Sequence, residues 1–294
     1  MVIAHNNWYI LSKLILLLDD SRNDIYVHVD QKSDFSDDRK LCLTSLVKKS
    51  NIRFIDRLPV TWGGFSLINV TLKLLKAATG EYHYSYYHLL SGCDLPLMNQ
   101  NQIHAFFDAH QGAEFIGFGK KEWIKSVQDR FKYYWLFQEC VGNSKRIDKI
   151  ILRAFDRVFV ALQRVFGVNR ISNLDYSAGS EWFSITDDFA RYMLSKEKFI
   201  KKHFKYGICA DESFVQTIAI NSNFEKKIFN RYSNVPQECI LRYIQWNQGK
   251  PRLLEMKDFN EIMNSGCLFA RKFDKNNKDI VDRIYDVVKP NIHD

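Results

Sequence analysis

Short apolar runs bounded by polar turns alternate, over the first 118 residues, with stretches whose apolar positions recur every three or four residues. Met1–His5 is a short apolar run and reads as a strand, with Asn6 placed to cap a helix that continues through Leu18. Ile25–Asp30 is β-rich and ends in a carboxylate. A helix is predicted over Arg39–Lys48, a strand over Ile52–Ile55, and a glycine turn at Trp62-Gly63-Gly64 ahead of a helix from Ser66 or Asn69 to Ala78. The strand Tyr86–Ser91 runs into Gly92-Cys93-Asp94, followed by a helix over Gln102–His110 and a strand over Glu114–Phe118. Such alternation predicts an α/β fold, a mostly parallel sheet flanked by helices. Ligands of these sheets collect at the carboxyl ends of strands, where Asp30 and Asp94 fall.

The pattern changes after Lys120. Ile147, Ile151, Phe155, Val158, Leu162 and Val165 recur at helical spacing, with Lys149, Arg153, Asp156, Arg157 and Arg164 on the other side. The spacing predicts a helix docked by its apolar stripe with a solvated basic face; the alternative is an interfacial helix lying on anionic lipid. Residues 144–170 carry seven basic residues against two acids, a net +5 of the chain's +8. One domain is expected, with an alternating first part (1–118), a basic helical segment (119–175) and a last part (176–294). The positive balance, with a pI near 9.0, suits an anionic partner. No nucleic-acid recognition signature appears, so a basic binding module is the weaker reading from another class.

Six cysteines are scattered without metal-ligand spacing, which argues against zinc. The run Trp8–Leu18 is short and broken by Lys13, neither signal nor span. Reduced thiols and a cytoplasmic protein are expected, in peripheral membrane contact if the basic helix is interfacial.

Three segments could carry chemistry. Gly179–Ile185 sets a glycine and Ser180 before Glu181, Trp182 and Phe183, which suits a turn lining a sugar pocket or, more plainly, a strand entering the core. Asp211 and Glu212 fall at a predicted helix start, where acids complement the dipole and stay ionised. Glu212 as general base and Asp211 as cap is the preferred split, with the reverse open. Phe269-Ala270-Arg271-Lys272-Phe273-Asp274 wedges two cations between aromatic residues. Nowhere are two aspartates separated by one residue. An enzyme that releases a diphosphate must neutralise it with a metal or fixed cations, and this dibasic cluster fits the second role. Adjacent side chains of an extended segment face opposite ways, so Lys272 is the candidate for the diphosphate and Arg271 has a supporting role.

These segments, together with Val27-His28-Val29-Asp30, Trp62-Gly63-Gly64-Phe65-Ser66, Leu90–Pro96 and Leu241–Trp246, resemble in order the core-2/I-branching β-1,6-N-acetylglucosaminyltransferases and the related peptide O-xylosyltransferases. The basic middle segment looks like that of bacterial members. The resemblance implies a GT-A-type fold, a UDP-sugar donor, a glycan acceptor and inversion without a metal or other cofactor. It assigns the base to Glu212 and diphosphate binding to Lys272 and Arg252. It places Asp30 and His5 near the uridine and the Glu181-Trp182 region near the sugars, with Ser180, Asp211 and Trp246 as further candidates for the acceptor or sugar pocket. N-acetylglucosamine transfer into a surface polysaccharide is the first expectation, and xylose transfer the nearest rival.

Overall fold

The computed structural model describes residues 1–171, 173–233, 236–247 and 249–289. The chain forms two compact units that interleave in sequence. Unit 1 takes residues 1–57, 88–112 and 237–294, and unit 2 takes 58–87 and 113–236. Residues 1–118 and 176–294 each contribute to both units, whereas 119–175 falls wholly in unit 2.

Unit 1 is built on a four-stranded parallel sheet in the order Asn51–Phe54, Asp24–Val29, Val2–Ala4, Leu90–Ser91. Ile25 to Val29 are buried in succession, the continuous pattern expected of a parallel strand covered on both faces. The helix Trp8–Leu18 buries Ile10, Leu11, Leu14, Ile15 and Leu17. It begins one residue later than Asn6 suggested. Asn7 sits at the N-cap with φ 57° and makes no side-chain cap bond. Its Nδ2 instead donates to Cys93 Sγ at 3.2 Å, and asparagine is one of the few residues at ease in the left-handed region. The helix Lys278–Val288 packs on Trp8–Leu18, joined by the Tyr9 hydroxyl donating to Asp282 and by Lys13 at 3.0 Å from Asp282.

A second sheet of unit 1 sets Phe269–Arg271 between Leu95–Pro96, antiparallel, and Arg242–Ile244, parallel. Its interior is charged. Asp94 is 1% exposed, Arg242 1% and Arg271 8%. The Asp94 carboxylate accepts from Ser91 N at 2.8 Å and Ser91 Oγ at 2.5 Å, and Arg271 Nε lies 3.7 Å from it. Arg242 donates to the carbonyls of Ile240 at 2.6 Å and Leu89 at 3.2 Å. Burial pulls the Arg242 guanidinium down to about 10, with the Asp94 charge opposing.

Unit 2 has a three-stranded sheet with Gly179–Thr186 between Phe115–Phe118, antiparallel, and Tyr86–His88. Gly179 crosses so close to its partner that a Cβ would meet Gly117 O at 1.9 Å. Helices Ser66–Glu81 and Asp187–Ser195 pack together, with Arg191 Nη2 donating to Thr79 O at 2.9 Å. The helix Phe214–Ile220 is tied to the sheet by the fully buried Gln216, whose Nε2 donates to Gly117 O at 3.0 Å and Ser180 O at 2.6 Å.

The basic helix spans Ile147–Val165, and it docks the other way round from the apolar-inward expectation. Asp156, Val160 and Gln163 are its buried residues. Asp156 accepts from the backbone N–H groups of Leu136 at 2.8 Å and Phe137 at 3.1 Å, and Gln163 bonds both N and O of Tyr134 at 2.8 and 3.0 Å. The neighbouring segment offers unpaired backbone groups rather than an apolar surface, so the polar face turns inward.

Removing Asp94 takes away a buried negative charge that faces Arg271 and acts on Arg242. Asp94→Ala should lower stability by about 3–5 kcal/mol, read as a reduced urea midpoint at unchanged m-value.

Candidate active site

Asp211 and Glu212 lie in a single 3-10 turn, Ala210–Glu212, and the α-helix begins at Phe214. Neither residue caps it: Ser213 is the N-cap and makes no side-chain cap bond. The turn is set by the chain before it. Cys209 adopts φ 50° and its N–H donates to Gly63 O at 2.9 Å. Gly63 itself has φ +66°, and a Cβ there would meet Gln138 Nε2 at 3.0 Å and Cys209 Sγ at 3.1 Å. Ile208 N donates to Arg130 O at 3.0 Å, which brings Arg130 alongside the turn. Its Nη1 lies 3.0 Å from Glu212 Oε2, with 31% of the glutamate side chain exposed.

Glu181, Asp211 and Glu212 thus act on one another, with Arg130 paired to Glu212. Burial, then the charge of Glu181, pushes Glu212 up to about 7, while Arg130 pulls it down. Asp211 is 8% exposed. Burial, then Glu181 and Glu212, holds it well above the usual carboxylate range. The expectation that a helix start would keep these acids ionised does not hold. One 3-10 turn supplies little dipole, and desolvation with like-charge repulsion outweighs it.

Glu114 shows why geometry must accompany the pKa. Burial also raises it to about 7, but it is 0% exposed, with Thr186 Oγ1 at 2.5 Å and Thr186 N at 3.0 Å on its two oxygens. It is a structural carboxyl. Glu212 combines the same tuning with access, as a general base requires.

Ser180 and Glu181 are partly exposed on the strand Gly179–Thr186. Trp182 is only 7% exposed and belongs to the core, so the strand reading replaces the stacking turn. The exposed indole of unit 2 near the turn is Trp62, 58% exposed beside Gly63. Its carbonyl accepts from Gln138 Nε2 at 3.0 Å.

In unit 1, His5, Asp30 and Lys272 gather at strand ends. Desolvation, then the Lys272 charge, holds the His5 imidazole below its ordinary value, with Asp30 opposing. Lys272 also acts on the Cys93 thiol. Asp30 follows its strand directly and accepts from Lys32 N at 3.0 Å. Beside it opens a cleft of about 330 Å³ lined by Val29, Phe35, Phe54, Ile55, Asp56 and Arg57 among others. Arg57 pins the loop after Asp30, its Nη2 donating to the carbonyls of Asp30 at 2.8 Å, Gln31 at 3.1 Å and Ser33 at 2.6 Å.

Of the C-terminal cations, Arg271 is buried against Asp94. Arg252 Nη2 lies 2.7 Å from Asp258 Oδ1 and its Nε donates to Gln245 at 2.7 Å, so its guanidinium is engaged within unit 1. Lys272 makes no ion pair among the described residues. Trp246 is 60% exposed on a two-stranded ribbon with Lys250–Pro251. Among the described residues no group of three or more His, Cys, Asp or Glu side chains is arranged to hold a metal ion.

Sequence reading missed Arg130, Arg57 and the Phe35–Phe54 cleft. Arg130 stands 82 positions from Glu212, and nothing in its neighbours marks it as a partner. The aromatic and basic residues just past the predicted strands were the available signal for the cleft.

The parallel sheet of unit 1 carries polar groups at its strand ends, and unit 2 carries the accessible, raised carboxyl of Glu212. The family model for the Core-2/I-Branching enzyme matches residues 1–264, and the chain belongs to that family. The chain is 23% identical over 285 residues to xylosyltransferase 2 of Rattus norvegicus, covering 90% of this chain and 30% of the relative. It is 24% identical over 268 residues to xylosyltransferase oxt of Drosophila melanogaster, covering 85% and 28%. It therefore spans less than a third of the length of these relatives. Mouse xyloside xylosyltransferase 1 superposes with a TM-score of 0.35 and 11% identity over 94% of this chain and 98% of that one, too loose a likeness to weigh.

The Glu212 carboxyl should titrate with a midpoint near 7 in a carbon-detected NMR experiment. Removing the cation in Arg130→Met should move the midpoint to higher pH, and removing the repelling charge in Glu181→Gln should move it lower. Gly63→Ala should cost about 1–2 kcal/mol from the left-handed backbone alone, seen as a lower thermal midpoint.

Proposed function

We propose that the chain is an inverting glycosyltransferase that moves a sugar from a UDP-sugar to a hydroxyl of a glycan acceptor without a metal. Unit 2 supplies the base. Glu212 takes the proton of the acceptor hydroxyl as that oxygen attacks the anomeric carbon on the face opposite the diphosphate. The bond to the diphosphate oxygen breaks, UDP leaves, and the configuration inverts. The observation that carries this reading is the Glu212 carboxyl, raised to about 7 yet reachable. A base of that pKa is half-ionised at neutral pH and still strong enough to accept the proton.

Unit 1 holds the donor. The cleft beside Asp30 and Arg57 suits the uridine, with Asp30 and His5 bordering it. Lys272 meets the negative charge that grows on the leaving diphosphate. A fixed cation aimed at developing charge needs no reorganisation and lowers the barrier by about 3–4 kcal/mol. Arg252 and Arg271 support this role from their pairings with Asp258 and Asp94. Ser180, Glu181 and Asp211 lie on the acceptor side with Glu212, and Trp62 and Trp246 offer open aromatic faces on which a sugar ring stacks.

N-acetylglucosamine is the donor sugar favoured by the motif resemblance, with a surface polysaccharide as acceptor. Xylose is the second reading, favoured by the names of the relatives that match.

UDP release across a panel of UDP-sugars, with and without EDTA, tests donor and metal independence together. Turnover should survive EDTA; a strict requirement for Mn²⁺ or Mg²⁺ would overturn the fixed-cation mechanism. Glu212→Gln should reduce kcat by about 10²–10⁴ with UDP affinity retained in calorimetry. Lys272→Met should lower kcat by about 10²–10³, and undiminished turnover in either variant removes that residue from the mechanism.

A further inference from the structure

The helix Ile147–Val165 shows its apolar stripe to solvent. Ile147, Ile151, Phe155, Val158, Leu162 and Val165 are each at least 51% exposed, while Asp156 and Gln163 face inward on backbone hydrogen bonds. An isolated exposed leucine means little, but a contiguous face of this length marks an interaction site. The helix runs about 28 Å at 1.5 Å per residue, and its inward face is already satisfied, so the outward face is the one that seeks a partner.

We propose that this face is a membrane-docking surface that lies in the plane of an anionic lipid bilayer. The charge around the stripe decides between occupants. The segment 144–170 carries a net +5, so a second copy meeting it face to face would set two such clusters against each other. Anionic headgroups supply the opposite sign. Arg157 is exposed on the helix, and Arg164, paired with Asp129 at 2.7 Å, keeps 56% of its side chain exposed. These two residues are two turns apart along one edge of the stripe, where cations reach headgroups while the apolar side chains enter the acyl boundary. No described helix is long and apolar enough to cross a membrane, and this mode of attachment needs none.

The test is flotation of the purified chain with phosphatidylcholine vesicles, with and without phosphatidylglycerol. The chain should float with the anionic vesicles and lose that binding in high salt. Arg157→Glu should weaken partitioning by about fivefold or more, the worth of one cation near such a surface. The double variant Phe155→Ser, Leu162→Ser should abolish it with the thermal midpoint unchanged, because both side chains are outside the core. Failure to bind anionic vesicles overturns the proposal, as does equal binding by wild type and double variant. Concentration-dependent dimerisation that the double variant loses, without vesicle binding, would assign the face to a second copy and overturn it too.

Discussion

The buried Asp94 carboxylate, set against the guanidiniums of Arg271 and Arg242, is the interaction on which unit 1 depends. A carboxylate at 1% exposure and two nearly buried guanidiniums are costly to remove from water. They persist because each is hydrogen-bonded or facing opposite charge. The arrangement ties the turn after Leu90–Ser91 to the two parallel strands Arg242–Ile244 and Phe269–Arg271. Arg271 is drawn in to Asp94 and Arg252 to Asp258, whereas Lys272 makes no ion pair among the described residues.

Unit 2 handles buried charge in the opposite way. Glu181, Asp211 and Glu212 repel one another, and Arg130 is paired with Glu212. Burial and like-charge repulsion raise Asp211 well above the usual carboxylate range and push Glu212 up to about 7. Opposite charges compensate each other in unit 1, and like charges raise a carboxyl in unit 2. Glu114 marks the boundary of the argument, since its pKa is equally raised but its oxygens are taken by Thr186.

The parallel sheet was legible because each of its strands is a short apolar run whose period differs from that of the helix beside it. Asp30 could be placed at a strand end for the same reason. The interleaving of the units was not legible, because contacts between residues 1–57 and 237–294 leave no periodic trace. Trp182 looked like a stacking platform because composition cannot say which face of a strand is covered. Arg130 was invisible as a partner because its approach to Glu212 is set by a backbone bond to Ile208 and by the left-handed Gly63 and Cys209.

The helix Ile147–Val165 shows where periodicity misleads in a useful direction. An amphipathic pattern identifies two faces but not which one the protein covers. The usual assignment, apolar inward, assumes that the neighbouring surface is apolar too. Here the neighbour is the irregular segment 134–137, whose backbone groups need partners, and Asp156 and Gln163 provide them at 2.8–3.1 Å. Two buried polar side chains that satisfy four backbone groups outweigh, at that position, what a few apolar side chains would gain by burial there. The apolar stripe is consequently displaced to the surface, with Arg157 and Arg164 exposed at its edge.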